Sequence, residues 1–195
     1  MADEVGQVVD EELDAERQAR RQIALAQIRQ YPDPALRMQA REVEAFDGDL
    51  ERLVERMSQL MVEANGVGLA APQVGVLRRL FVFRRGRDDE EGSEETIAVV
   101  NPQVVSSSEE RESEEEGCLS LQGIQVPVER HLAITLEAHD PAGARLELEL
   151  EGIEARIAQH ELDHLDGMLI LDRTTPEARR EALAALRPRA VLGAG

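Results

Sequence analysis

Residues 159–167 read QHELDHLDG, two histidines four positions apart with a glutamate directly after the first. No other stretch narrows the fold as far. A helix turns about 100° per residue, so His164 lies about 40° from His160 on its wheel, and both imidazoles reach one metal ion. Glu161 lies about 100° round the same wheel. That sets its carboxylate beside the metal rather than in the coordination shell, where a general base for water belongs. Ile157 and Ile153 fall about 60° and 20° from His160, so the metal-facing stripe continues as an apolar wall able to line a pocket. A surface helix carrying two histidines by chance is the rival reading, because the HExxH spacing alone has false positives.

A tetrahedral catalytic site takes three protein ligands plus water, so a third ligand is needed. Cys118, the only cysteine, is the best candidate; Glu116, His131 and His139 remain open as alternatives. With one thiol no internal disulfide forms. All 22 basic residues are arginine, which excludes Schiff-base chemistry and a P-loop nucleotide site. The formal charge of −18 argues against extended nucleic-acid contact. No run of apolar residues suits a membrane span, and the acidic, polar N-terminus does not suit a signal peptide. A cytoplasmic protein is expected.

The length of 195 residues suits one catalytic domain over 22–195, preceded by an extension over 1–21 that is frayed or partly helical. From Asp49 to Ala64 apolar residues recur at three and four, an amphipathic core helix stopped by Asn65 and Gly66. Its methionines are packing residues. The segment GVGLAAPQVG (66–75) suggests backbone running close against something, with Gln73 aimed at it as an amide donor for a developing oxyanion. Strands are expected over Leu80–Phe83 and over Ile97–Val100, the latter ended by Asn101 and Pro102. Acidic surface loops are expected over Arg87–Glu95 and Ser106–Glu115. Leu132–Ala138 and Leu146–Leu150 alternate as a hairpin with one buried face. It leads to the metal helix, which ends at Gly167, and Thr175 and Pro176 open a last helix ended near Arg187 and Pro188. The pattern is α+β, with strands gathered mainly before one central helix.

Taken together, these residues closely resemble peptide deformylase. The first family signature appears as Gly66, Gly68, Leu69, Ala70, Ala71 and Gln73, the second as Glu116–Ser120 and the third as Gln159–Gly167, in the family's order and separation. The resemblance covers about residues 28–172. It implies an α+β fold of antiparallel strands packed around a central metal-binding helix, with an N-terminal extension and a C-terminal helix. It implies Cys118, His160 and His164 as metal ligands, Glu161 as general acid and base, and Gln73 with the backbone N–H of Leu119 as the oxyanion hole. Val67, Gly68 and Ile157 would line the methionine pocket, joined by Ile153 from the helical stripe. Arg130 is expected to pair with Glu116. The implied metal is ferrous iron (Fe2+), with Zn2+ or Ni2+ as replacements, although ligand softness alone favours zinc. The implied partners are N-formyl-methionyl nascent peptides at the ribosome, met by a monomer with no membrane contact. Gln122 departs from the family, which commonly has proline there, so a less rigid loop is expected at that edge.

Overall fold

The computed structural model describes residues 2–86 and 95–186, with side chains from residue 14. Strands β1 (Gly68–Ala70), β2 (Leu80–Arg85), β3 (Glu95–Ser107), β6 (Ala133–His139) and β7 (Arg145–Glu151) pair antiparallel in the order β1-β2-β3-β6-β7. A second, two-stranded sheet joins β4 (Arg111–Gly117) to β5 (Gln125–His131). Five α-helices, α1 (Ala2–Ala26), α2 (Gly48–Glu63), α3 (Gly152–Leu165), α4 (Ile170–Arg173) and α5 (Pro176–Ala185), and two short 3-10 helices (Pro34–Arg37 and Ala71–Val74) complete the described chain. The architecture is α+β, with α3 packed among antiparallel strands. No helix among the described residues is long and apolar enough to cross a membrane.

The apolar run of β2 follows from burial on both faces. Phe81 and Phe83 turn to the side that packs α3, whereas Leu80 and Val82 turn to the side that packs α2, the two-residue period of a strand. On the α3 side, Ala155, Ala158, Leu162 and Leu165 meet Ile134, Leu136, Leu148 and Leu150 of the β6–β7 hairpin. On the other side Leu50, Met57, Leu60 and Met61 of α2 are buried with Ala24 and Leu25 of α1. A third cluster seats Val126 and Val128 of β5 against Leu169, Ile170, Leu171 and Ala182. The Asp47 side chain caps α2 by accepting from the N–H groups of Asp49 and Leu50, and the Thr175 side chain caps α5 by accepting from that of Ala178. Beyond α3, Gly167 has φ +73°, and a Cβ there would stand 2.7 Å from the Arg37 carbonyl oxygen. The chain therefore turns out of the metal helix where only glycine fits.

Three expectations change. The third strand does not end at Asn101 and Pro102; β3 runs on to Ser107 through register shifts between Val100 and Gln103 and between Val104 and Ser106. Asn101 holds φ +53° because its side chain accepts from Val43 N–H at 2.8 Å and donates to Val43 O at 2.9 Å. Proline is tolerated at such a bulge. The stretch Ser106–Glu115 is not a loop, since Arg111–Gly117 forms β4. Its acidic side chains alternate with none that are apolar because this strand pairs only with β5 and leaves nearly all of them in water. The strand β5 itself carried too short an alternation to be expected. Helix α1 runs without a break across residue 21 to Ala26. The acidic stretch 87–94 and the helix end at Arg187 and Pro188 lie outside the described residues.

The methionine at position 57 fills the α2 face with no exposed surface, so its shape matters less than its volume. Met57→Leu should cost less than about 1.5 kcal/mol, whereas Leu136→Ala, which opens a cavity beneath α3, should cost about 2–5 kcal/mol. Urea unfolding of both variants checks this, and equal losses would place Met57 outside simple packing.

Candidate metal centre

Cys118, His160 and His164 meet at the α3 surface, one ligand atom of each lying within 4.8 Å of the others. The helix contributes both histidines, and their rings stand edge-on with centroids 5.0 Å apart. Cys118 arrives from the turn after β4, with its sulfur 3.2 Å from Nε2 of His164. The Ser120 backbone N–H donates to that sulfur at 3.4 Å. Glu116 accepts from Nδ1 of His160 at 3.1 Å, which leaves Nε2 of that ring for the centre. The alternatives to Cys118 fall elsewhere. Glu116 supports a histidine, His131 is bonded to Ser108 and Arg111, and His139 lies against Phe46.

The protonation pattern suits a cation. Burial opposes charge on His160, yet its hydrogen bonds to Cys118 and Glu116 prevail and hold its pKa well above the usual imidazole value. Burial, reinforced by the charge of His160, holds that of His164 well below it. A metal ion would displace the proton from His160, take His164 neutral and use the thiolate. Buried Oε2 of Glu161 has no hydrogen-bond partner. A carboxylate so placed can accept from a water or substrate proton beside a cation bound by the three ligands. The residues thus fit the group.

Glu161 is 3 % exposed, and burial pushes its pKa up to about 7, partly offset by the charge of His160. It is wedged against β1, where a Cβ on Gly68 would overlap the carboxylate. Gln73 is held with equal definition. Its Oε1 accepts from Ala70 N–H at 2.8 Å, which fixes the amide so that Nε2 faces the centre. That nitrogen donates to Ser120 Oγ at 3.1 Å and stands 3.7 Å from the Cys118 sulfur. The Leu119 carbonyl accepts from Gln30 Nε2 at 3.0 Å and so fixes the plane of the loop that carries Leu119.

A cleft of about 1060 Å³ opens onto this centre, and Val67, Gly68, Leu119, Ile153 and Ile157 are all among the residues lining it. Ile157 is buried, but Val67 is 52 % and Ile153 63 % exposed. Ile153 therefore stands at the mouth rather than in the wall that the helical stripe suggested. Its turn is the first of α3, where no strand covers it. The loop after Ser120 lacks the proline expected of a rigid edge, yet it is closed by turn bonds from Leu121 N–H to Cys118 O at 3.0 Å and from Ile124 N–H to Leu121 O at 3.1 Å.

Sequence reasoning missed Arg156, Asp163 and Ser120. Arg130 donates to Glu116 through two nitrogens, each at 2.9 Å, as expected, and also to Asp163 at 2.6 Å. Arg156 donates to the same Glu116 at 2.9 Å. These cations outweigh burial: hydrogen bonds from Arg130 and His160 hold the Glu116 carboxyl down at about 2. The one available signal was spacing, since Arg156 precedes His160 by four residues and so shares its face.

A family model described as polypeptide deformylase matches residues 25–180. A peptide deformylase of Thermodesulfovibrio yellowstonii is 41% identical over 157 residues, covering 80% of this chain and 93% of the relative. One from Thermotoga maritima is 44% identical over 152 residues, 78% and 88% of the two chains. Among solved structures, peptide deformylase 1B of Arabidopsis thaliana superposes with a TM-score of 0.75 at 40% identity, covering 82% of this chain and 89% of that one. A peptide deformylase from Legionella pneumophila gives 0.73 at 40% identity, covering 83% and 98%.

Two expectations arise from the geometry. Cys118→Ala should lose most of its metal affinity while remaining folded, read by metal analysis after dialysis; full occupancy with unchanged affinity would remove Cys118 from the ligand set. Glu116→Gln should destabilise the protein by about 3–5 kcal/mol near neutral pH, because it strips a buried charge partner from Arg130 and Arg156. The folded pKa lies below the ordinary 4.5, so the carboxylate's contribution is complete above about 4.5 and is lost as pH falls toward 2. Urea midpoints of parent and variant should converge across that window, and a constant gap would show that Glu116 is not the titrating group.

Proposed function

The chain belongs to the polypeptide deformylase family, and from that premise we propose how its own residues remove the formyl group from newly made polypeptides. The observation that carries the assignment of roles is the meeting of Cys118, His160 and His164 beside the buried carboxylate of Glu161. We assign the first three as metal ligands and Glu161 as the general base and acid. A divalent cation held by these three residues would supply Lewis acidity for activating water and polarising the formyl carbonyl. Glu161 takes a proton from the attacking water and later returns it to the amine nitrogen as the C–N bond breaks, so formate and a free amino terminus leave. Gln73 Nε2 and the Leu119 N–H donate to the oxygen on which negative charge develops. Fixing of the Gln73 amide by Ala70 supports that role, because a preorganised donor needs no reorientation during reaction.

Ile157 is proposed as the apolar floor of the methionine subsite, Gly68 as its close backbone wall, and Val67 and Ile153 as its rim. Ferrous iron is proposed as the cellular metal, with zinc or nickel as replacements; the family resemblance supports iron, whereas the thiolate and imidazole donors taken alone suit zinc. The thiol must stay reduced to serve as a ligand, which supports a cytoplasmic setting. Every proposed ligand and the base come from one chain, which supports action as a monomer on nascent chains leaving the ribosome. The catalytic domain is proposed to span 22–195, with 1–21 carried on it by the continuous helix α1.

Release of formate from formyl-Met-Ala-Ser by the metal-loaded protein tests the whole reading. Glu161→Gln should keep its metal and lose about 10²–10⁴-fold in turnover; near-normal turnover would mean that another group is the base. The parent's kcat/KM should fall on the acid side as Glu161 gains its proton, with a midpoint at or below about 7 because a bound cation favours the carboxylate. Formyl-norleucine should be processed nearly as well as formyl-Met, the difference being at most about 1–3 kcal/mol, and formyl-Glu far more slowly. Comparable rates for formyl-Glu and formyl-Met would show that the subsite is open to water.

A further inference from the structure

The cleft wall does not end with the family's residues. Beyond Gly68, Val67, Gly66 and Asn65 it is continued by Leu25 and Arg21 of α1, and Arg21 precedes the family match, which begins at residue 25. Arg21 is exposed, and its Nε donates at 3.3 Å to the carbonyl of Ala64. Ala64 caps the C-terminus of α2, which has no basic residue in its own last turn. One N–H therefore pins the guanidinium plane on a carbonyl at the negative end of a helix dipole, and the terminal nitrogens are left for another acceptor. The neighbouring arginines of α1 are differently placed: Arg17 pairs with Asp14 and Arg20 with Glu16, whereas among the described residues no carboxylate pairs with Arg21. The other arginine lining the cleft, Arg156, is spent on Glu114, Glu116 and two carbonyls. The remaining charged lining groups include Glu115, Glu116 and Glu161, on a chain of net charge −18.

Resting on the deformylase reading of the cleft, we propose that Arg21 is a specificity-determining residue that binds a carboxylate of the formyl-peptide downstream of its methionine, either an acidic side chain or the terminus of a short peptide. The formyl end is consumed beside Glu161, against which Gly68 lies. From Gly68 to Asn65 the wall spans at most about 10 Å at roughly 3.3 Å per residue, the length of about three residues of extended peptide. A substrate's third or fourth residue thus reaches the guanidinium. With Arg156 already paired, the other charges lining the cleft are mainly carboxylates that disfavour such a peptide, so Arg21 sets which nascent chains are favoured rather than whether the chemistry occurs.

The test is the specificity ratio of the metal-loaded full chain. Formate release is measured for formyl-Met-Ala-Glu, formyl-Met-Ala-Gln and formyl-Met-Ala-Lys, all as C-terminal amides, and for formyl-Met-Ala-Ser with a free or amidated terminus. The parent should favour Glu over Gln by about two- to five-fold in kcat/KM at low salt, mainly through KM, as expected of an exposed charge pair. The preference should fade as salt shortens the Debye length from about 10 Å at 0.1 M. Arg21→Gln should bring the ratio to one or below, and Arg21→Lys should restore part of it. Gln18→Glu keeps Arg21 and its bond to Ala64 while offering it a carboxylate three residues away on the helix, so this variant should also lower the ratio even if Arg21→Gln proves unstable. The free-terminus pair tells whether a chain terminus serves as well as a side chain. A parent ratio of one or less, a ratio that survives both variants, or an equal loss for every peptide would overturn the proposal, the last leaving Arg21 only its role at the end of α2. No formate from any peptide would instead overturn the deformylase reading and this proposal with it.

Discussion

The charge network around Glu116 and Arg130 is the constraint on which the centre depends. It runs from Arg173 through Asp163 and Arg130 to Glu116, and from there to Arg156 and His160. Glu116 belongs to β4, Arg130 to β5, and Arg156, His160 and Asp163 to α3, so one set of ion pairs ties the two-stranded sheet to the metal helix. Such charges are costly to bury unless every partner is present. Here Glu116 receives from two guanidiniums and one imidazole, and Arg130 gives to two carboxylates. The same network aims His160, since the ring that gives Nδ1 to Glu116 can offer only Nε2 to the centre. Adhesion between layers and orientation of a proposed ligand are one interaction.

That arrangement explains why an acidic strand can exist at all. β4 reads RESEEEG, and only Glu116 within it is buried. A strand with no apolar face has little hydrophobic reason to dock. It is held by the β5 ladder, by Arg156 reaching the Glu112 carbonyl at 2.9 Å and Glu114 at 2.9 Å, and by the buried Glu116 itself. Cys118 then lies two residues beyond the anchored glutamate. The position of the thiol relative to the helix is set by a salt-bridge anchor close in sequence, with no need for a rigid proline in the loop that follows.

The local parts of this fold were legible and the cooperative parts were not. The spacing of His160 and His164, the three-and-four repeat of α2 and the alternation of the β6–β7 hairpin are short-range periodicities, and each element stands close to where its pattern lies. The lone thiol and the pair of histidines do lie together, although nothing in their separation along the chain required it. The strand β4 was unreadable because its charged residues signal a solvated loop by composition, and its pairing partner lies across a turn. The continuation of β3 through Asn101 and Pro102 was hidden because the residues that usually end a strand here form a bulge pinned by Val43. Arg156 and Asp163 are of residue types that usually lie on the surface of a helix. Their burial is decided by β4, β5 and α4, which no window around α3 contains.

The proposed base and the glycine opposite it form a coupled choice. An exposed glutamate keeps a pKa near its ordinary value and returns protons poorly to an amine; a buried one holds its proton more strongly and is suited to both transfers near neutral pH. On one side Glu161 is covered by backbone, with β1 passing so close that a Cβ on Gly68 would overlap the carboxylate. A larger residue there would displace the Glu161 carboxylate or push β1 outward, and the second would move Ala70, whose N–H holds the Gln73 amide. Proton affinity at Glu161 and donor orientation at Gln73 therefore rest on the same three-residue strand. The strand has to be short, glycine-bearing and at the sheet edge, because only an edge strand can pack a base on one side of the cleft and leave its backbone open to an extended peptide on the other.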